Sequence, residues 1–151
     1  MQNDSIISAL IGLVGACNNN SKTDRTDSVI VKALAAEDGD VDDIVGMIHA
    51  EKNRVAPGCA VCETPCGNMS DYDMDRIYEA DGDVRNVKLR ILSELRQAAA
   101  SIGIKESGRE LPNIGIFYRA LSYVSYDLDA DVLRRMLDEV REEIQHITEI
   151  L

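Results

Sequence analysis

Between Pro57 and Gly67 the chain reads Pro57-Gly58-Cys59-Ala60-Val61-Cys62-Glu63-Thr64-Pro65-Cys66-Gly67, which holds three of its four cysteines. Proline fixes φ and lacks an amide donor, so this run cannot continue a helix. Its glycines let the backbone bend sharply. Any fold built around the segment must therefore interrupt its regular structure here. The Cys-x-x-Cys-x-x-x-Cys spacing brings three thiolates onto one turn, which suits a metal ion, a cluster or a redox pair.

The remainder reads as helix. A first helix is expected from about Ser5 to Cys17, with Ile6, Leu10, Leu13, Val14 and Cys17 at helical spacing, ended by Asn18-Asn19-Asn20. A second opens near Thr26 or Asp27, carries Val29, Ile30, Ala33 and Leu34, and closes at Glu37-Asp38-Gly39. Asp40 caps a third, with Asp42 and Asp43 favourably placed in its first turn. Its expected buried face is Val41, Ile44, Val45 and Ile48. The cysteine loop spans Asn53 to Met69, and Ser70 caps a short helix from Asp71 to Ala80. Asp83 caps a fifth, whose stripe is Val84, Val87, Ile91, Leu95, Ala98 and Ile102, with Gly103 at its end. Pro112 suits the first turn of a sixth, through Phe117, Leu121 and Val124. Asp129 caps the last, with Val132, Leu133, Met136, Leu137, Val140, Ile144 and Ile147 inward. Short connections make consecutive helices antiparallel. The expected fold is an all-α helical bundle, one domain over residues 1–151, with the Cys-rich loop between its two halves.

With 151 residues, no tryptophan and one phenylalanine, the core must be aliphatic. A formal net charge of -11 leaves no basic stripe for nucleic acid or for an anionic membrane surface. No segment reaches the ~20 apolar residues that span a bilayer. An aliphatic chain of this size does not need disulfide staples, so the clustered cysteines fit a reducing, cytoplasmic compartment. Val14-Gly15-Ala16-Cys17 resembles a lipoprotein cleavage box. The residues before it, Met1-Gln2-Asn3-Asp4-Ser5, are acidic where a signal peptide is positive, which favours a plain helix.

Four readings of the cysteines stand side by side. Cys59, Cys62 and Cys66 could hold an iron–sulfur cluster, with Cys17 as a conditional fourth ligand. The same four thiolates match the stoichiometry of a structural zinc site, although zinc more often pairs two Cys-x-x-Cys knuckles. Cys59 and Cys62 could form a dithiol with Cys66 resolving, but no βαβ pattern accompanies them. Finally, the cysteines could be small buried residues with no ligand. His49, near the end of the third helix, is a second-rank ligand candidate and is more simply a dipole-complementing residue. His146 is expected to face solvent. Asp71, Asp73 and Asp75 lack the glycine and the terminal glutamate of an EF-hand.

The wording Ser8-Ala9-Leu10-Ile11-Gly12-Leu13-Val14-Gly15-Ala16, then Asp27-Ser28-Val29-Ile30-Val31-Lys32-Ala33-Leu34, then the spaced cysteines, resembles the N-terminal helical domain of the hybrid-cluster protein (hydroxylamine reductase) and carbon monoxide dehydrogenase group. The resemblance covers roughly the first half of the chain and implies a helical module associated with iron–sulfur redox chemistry. That group uses further ligands from domains absent here, and Met1 to Ala16 contains no cysteine. No residue carries over as a reductase ligand. The expectation is a small iron–sulfur or metal-binding helical protein serving a larger redox protein partner. The opposing expectation is a non-enzymatic helical interaction module with a structural zinc or dithiol loop.

Overall fold

In the computed structural model the described residues are 4–17, 24–36, 38–55, 74–105 and 112–150. Their regular structure is entirely helical: α1 Asp4–Cys17, α2 Asp24–Leu34, α3 Val41–Val55, α4 Asp75–Tyr78, α5 Gly82–Lys105, α6 Gly115–Ser125 and α7 Ala130–Ile150, with a 3-10 turn at Asp38–Asp40. The all-α expectation holds, and no strand occurs among the described residues. None of their helices is long and apolar enough to cross a membrane. The chain divides into two compact units, Met1–Tyr72 and Asp73–Leu151.

In the first unit α1 is apolar around its whole circumference. Ile6, Ile7, Ala9, Leu10, Ile11, Leu13, Val14, Ala16 and Cys17 are all buried, as an all-round apolar helix requires. Each buried Ile or Leu stabilises the fold by roughly 1.5–3 kcal/mol. Helix α1 packs on α2 and α3, which pack on each other. Helix α2 begins at Asp24, slightly ahead of the expected Thr26 or Asp27, so Thr26 falls in its first turn and is buried with Val29, Ile30 and Ala33. Helix α3 corrects two expectations. Of Val41, Ile44, Val45 and Ile48 only Ile48 is buried, because burial is concentrated in the C-terminal half of the helix, where Glu51 joins it. The helix also runs through Asn53 to Val55, which were expected to begin the cysteine loop. Lys52 and Arg54 in this last turn complement the carbonyl end of the dipole.

The second unit is an up-down-up arrangement of α5, α6 and α7, with the short α4 on α5. Ion pairs give the directions. Asp83 and Glu94 of α5 pair with Arg134 and Arg141 of α7, at 3.6 and 3.2 Å, so these two helices run parallel. Arg119, early in α6, pairs with Glu139 at 3.1 Å, as an antiparallel α6 demands. These exposed pairs set register more than stability, each contributing about 0–1 kcal/mol. The core beneath them includes Ile91, Leu95, Ile102, Phe117, Leu121, Val124, Leu133 and Val140.

Several boundaries differ from expectation. Asp83 lies inside the first turn of α5, and the Asp81 carbonyl accepts the first helical bond, from the Arg85 N–H at 2.8 Å. Gly103 does not end α5, which continues to Lys105; one glycine costs a helix only about 1 kcal/mol. Pro112 precedes α6 instead of opening it, and the Asn113 side chain accepts from the Gly115 N–H at 2.9 Å. Asp129 stands where expected, its carbonyl accepting from the Leu133 N–H at 3.1 Å. Ser70 and residues 71–73 lie outside the described residues; α4 starts after Met74, which makes no side-chain cap bond.

Candidate functional site

Helix ends assemble a polar cluster at one pole of the first unit. Glu51 follows buried Ile48 by one turn of α3, and its side chain is 1% exposed. The Thr26 hydroxyl, from the first turn of α2, donates to its carboxylate at 2.6 Å. Arg54, one turn further along α3, grips both carboxylate oxygens at 2.7 and 2.8 Å, the bidentate geometry that makes such pairs strong. Arg25 adds a looser ion pair at 3.5 Å. The Arg54 hydrogen bond holds the Glu51 carboxyl below the ordinary range. Burial pushes it up, and the Thr26 bond and the charges of Arg54 and Arg25 lower it further. A buried carboxylate is thus retained in its charged form by three partners.

Cys17 belongs to the same pole. It is buried as the last residue of α1. Arg54 is held further into its charged form chiefly by the Glu51 hydrogen bond; burial works against this, and the charges of Glu51 and, last, of an ionised Cys17 add to it. The end of α3 and the start of α2 therefore meet here, and Cys17, at the end of α1, is near enough for its charge to act on Arg54. The chain leaves this pole along α3, whose final residue Val55 precedes Cys59 by four positions. Cys59, Cys62 and Cys66 lie outside the described residues. Among the described residues, no group of three or more His, Cys, Asp or Glu side chains could hold a metal ion. His49 is half-buried on α3, His146 is exposed on α7, and Asp75 is exposed at the start of α4.

A second constellation lies in the other unit. The starts of α5 and α7 and the end of α6 border a groove of about 720 Å³, lined by Asp81, Asp83, Lys88, Asp127 and Asp129 among others. Lys88 is only 2% exposed. Its Nζ donates to the Tyr126 carbonyl at the end of α6, at 3.0 Å. Burial pushes the Lys88 ammonium below the ordinary lysine range; Asp127 opposes that shift and Arg76 adds to it. Asp83 and Asp127 face Arg134 and Arg76 at 3.6 and 4.0 Å.

Neither Glu51 nor Lys88 was singled out by sequence reasoning, yet both carry one detectable signal. Each is a charged residue in an otherwise apolar stripe: Glu51 follows Ile44 and Ile48, and Lys88 falls within Val84–Lys88–Ile91–Leu95. No protein-family model matches the chain, and no curated protein or solved structure matches it either.

Proposed function

We propose that this chain is a small thiolate metal-binding protein linked to redox chemistry, with Cys59, Cys62 and Cys66 as ligands and Cys17 as the fourth. What supports this reading is that buried Cys17, at the end of α1, is near enough for its charge to act on Arg54 in the last turn of α3, the helix that leads toward the cysteine segment. Three residues lie between Val55 and Cys59, so four Cα steps give Cys59 a reach of at most ~14 Å from Val55, and chain connectivity keeps it near the end of α3. An iron–sulfur cluster held this way would supply one-electron transfer. The chain's own residues would supply the thiolates, and the Glu51-anchored Arg54 would supply a fixed positive charge near Cys17, which favours an anionic centre.

The role that follows is electron transfer or accessory service to a larger redox partner in a reducing, cytoplasmic setting, as a hydroxylamine reductase-like module. A second reading rests on the count of four cysteines, the number that closes a zinc tetrahedron. In that case the chain is a helical interaction module with a structural metal. Anaerobic purification followed by iron, zinc and acid-labile sulfide analysis separates the two. Iron with sulfide supports the cluster, zinc alone supports the interaction module, and a folded protein with neither contradicts both. Cys17→Ser then tests the fourth ligand: unchanged metal content removes Cys17 from the set.

A further inference from the structure

The groove of the second unit carries a chemistry that the thiols do not. We propose that Lys88 is an imine-forming lysine, and that the groove around it accepts small neutral or cationic aldehydes or ketones in preference to anionic ones. Lys88 is buried to all but 2% of its surface, yet it contributes to the wall of a groove of about 720 Å³. Among the described residues its one hydrogen-bond partner is the Tyr126 carbonyl, at 3.0 Å. One N–H donates to the carbonyl and orients the group, and once the ammonium proton is lost the lone pair can attack an electrophile.

Burial makes the Lys88 ammonium easier to deprotonate than that of an exposed lysine. Burial is the largest influence and disfavours the ammonium; the charge of Asp127 works against it and Arg76 adds like charge. Desolvation and a nearby cation are two means by which lysines become nucleophiles. The rim selects the substrate. Asp81, Asp83, Asp127 and Asp129 all line the groove. Arg134 and Arg76 face Asp83 and Asp127, whereas neither Asp81 nor Asp129 has a side-chain partner among the described residues. The net field repels carboxylates and phosphates and accepts uncharged or cationic carbonyl compounds.

The step balances without an outside reagent. Lys88 gives up its ammonium proton to water, its lone pair attacks the carbonyl carbon, and the carbonyl oxygen leaves as water as the C=N bond forms. Cyanoborohydride, used as the trapping reductant, delivers hydride to that carbon and leaves a stable secondary amine.

The full chain is incubated at neutral pH with cyanoborohydride and either acetaldehyde or glyoxylate, and the lysines are compared by peptide mass spectrometry. Acetaldehyde is expected to label Lys88 about tenfold faster than the exposed Lys32. With glyoxylate the ratio of Lys88 to Lys32 labelling should fall. Labelling of Lys88 no faster than Lys32 overturns the nucleophile, and equal ratios for the two aldehydes overturn the stated substrate preference. The comparison is internal to the wild-type protein, so it does not depend on a variant that folds.

Discussion

Thr26 and Glu51, 25 positions apart, meet across 2.6 Å at the pole where α3 ends and α2 begins. The hydroxyl and the Arg54 guanidinium together hold a carboxylate that the surrounding aliphatic core would otherwise neutralise. This contact ties the start of α2 to the end of α3 and, with Glu51, anchors the Arg54 cation.

Acid stability follows from that arrangement. The Glu51 carboxyl is lowered in the folded state. Its contribution is therefore fully present above the ordinary carboxyl range and disappears as pH falls through the lowered folded value. Arg54→Ala removes the largest lowering influence and leaves burial to act. Acid unfolding followed by circular dichroism should then begin at a higher pH than in the wild type. An unchanged acid transition would contradict the assigned partnership.

Lys88 makes the opposite prediction. A lysine lowered on folding binds fewer protons in the native than in the unfolded chain. Its burial therefore costs stability at neutral pH, and the cost is relieved as pH rises through the folded value toward the ordinary one. Lys88→Met keeps the volume and removes the charge. Its melting temperature at pH 7 is expected at or above that of the wild type, with the difference shrinking toward alkaline pH. A clear loss of stability at pH 7 would show that the Tyr126 hydrogen bond outweighs desolvation.

The aliphatic core can be checked at Leu95, which is fully buried in α5. Leu95→Ala should cost about 2–5 kcal/mol, read from chemical denaturation. Against a typical domain stability of about 5–15 kcal/mol, that is enough to leave the second unit marginal.

Gly46 tests the helix itself. It is exposed in the middle of α3, and an added Cβ would meet nothing within 4 Å. Gly46→Ala should raise stability by about 0.5–1 kcal/mol, since glycine loses more backbone freedom on folding than alanine. A decrease on denaturation would place an unseen constraint at that position.

Much of this architecture is legible in the chain. The stripes from Val84 to Ile102 and from Leu133 to Ile147 are long enough to declare helices unaided, and Asp129 stands at the start of α7, its backbone carbonyl accepting the first helical bond. The pole of the first unit is not legible, because pattern reading assigns charged residues to solvent. Glu51 and Lys88 defy that rule since specific partners, Thr26 and Arg54 for one and the Tyr126 carbonyl for the other, come from distant positions. Helices α3 and α5 run through Asn53 and Gly103 for another reason: weak local breakers yield to a helix stabilised by tertiary packing. The cysteine spacing is plain in the sequence, and its three clustered members lie outside the described residues.

The most direct test of the thiol-centred account is anaerobic reconstitution with iron and sulfide, comparing the wild type with a Cys59→Ser, Cys62→Ser, Cys66→Ser triple variant. The account predicts visible charge-transfer absorption with bound iron and sulfide in the wild type, and neither in a variant of equal helical content. A wild-type chain that stays colourless and iron-free while fully folded, with no zinc bound from purification, would contradict it.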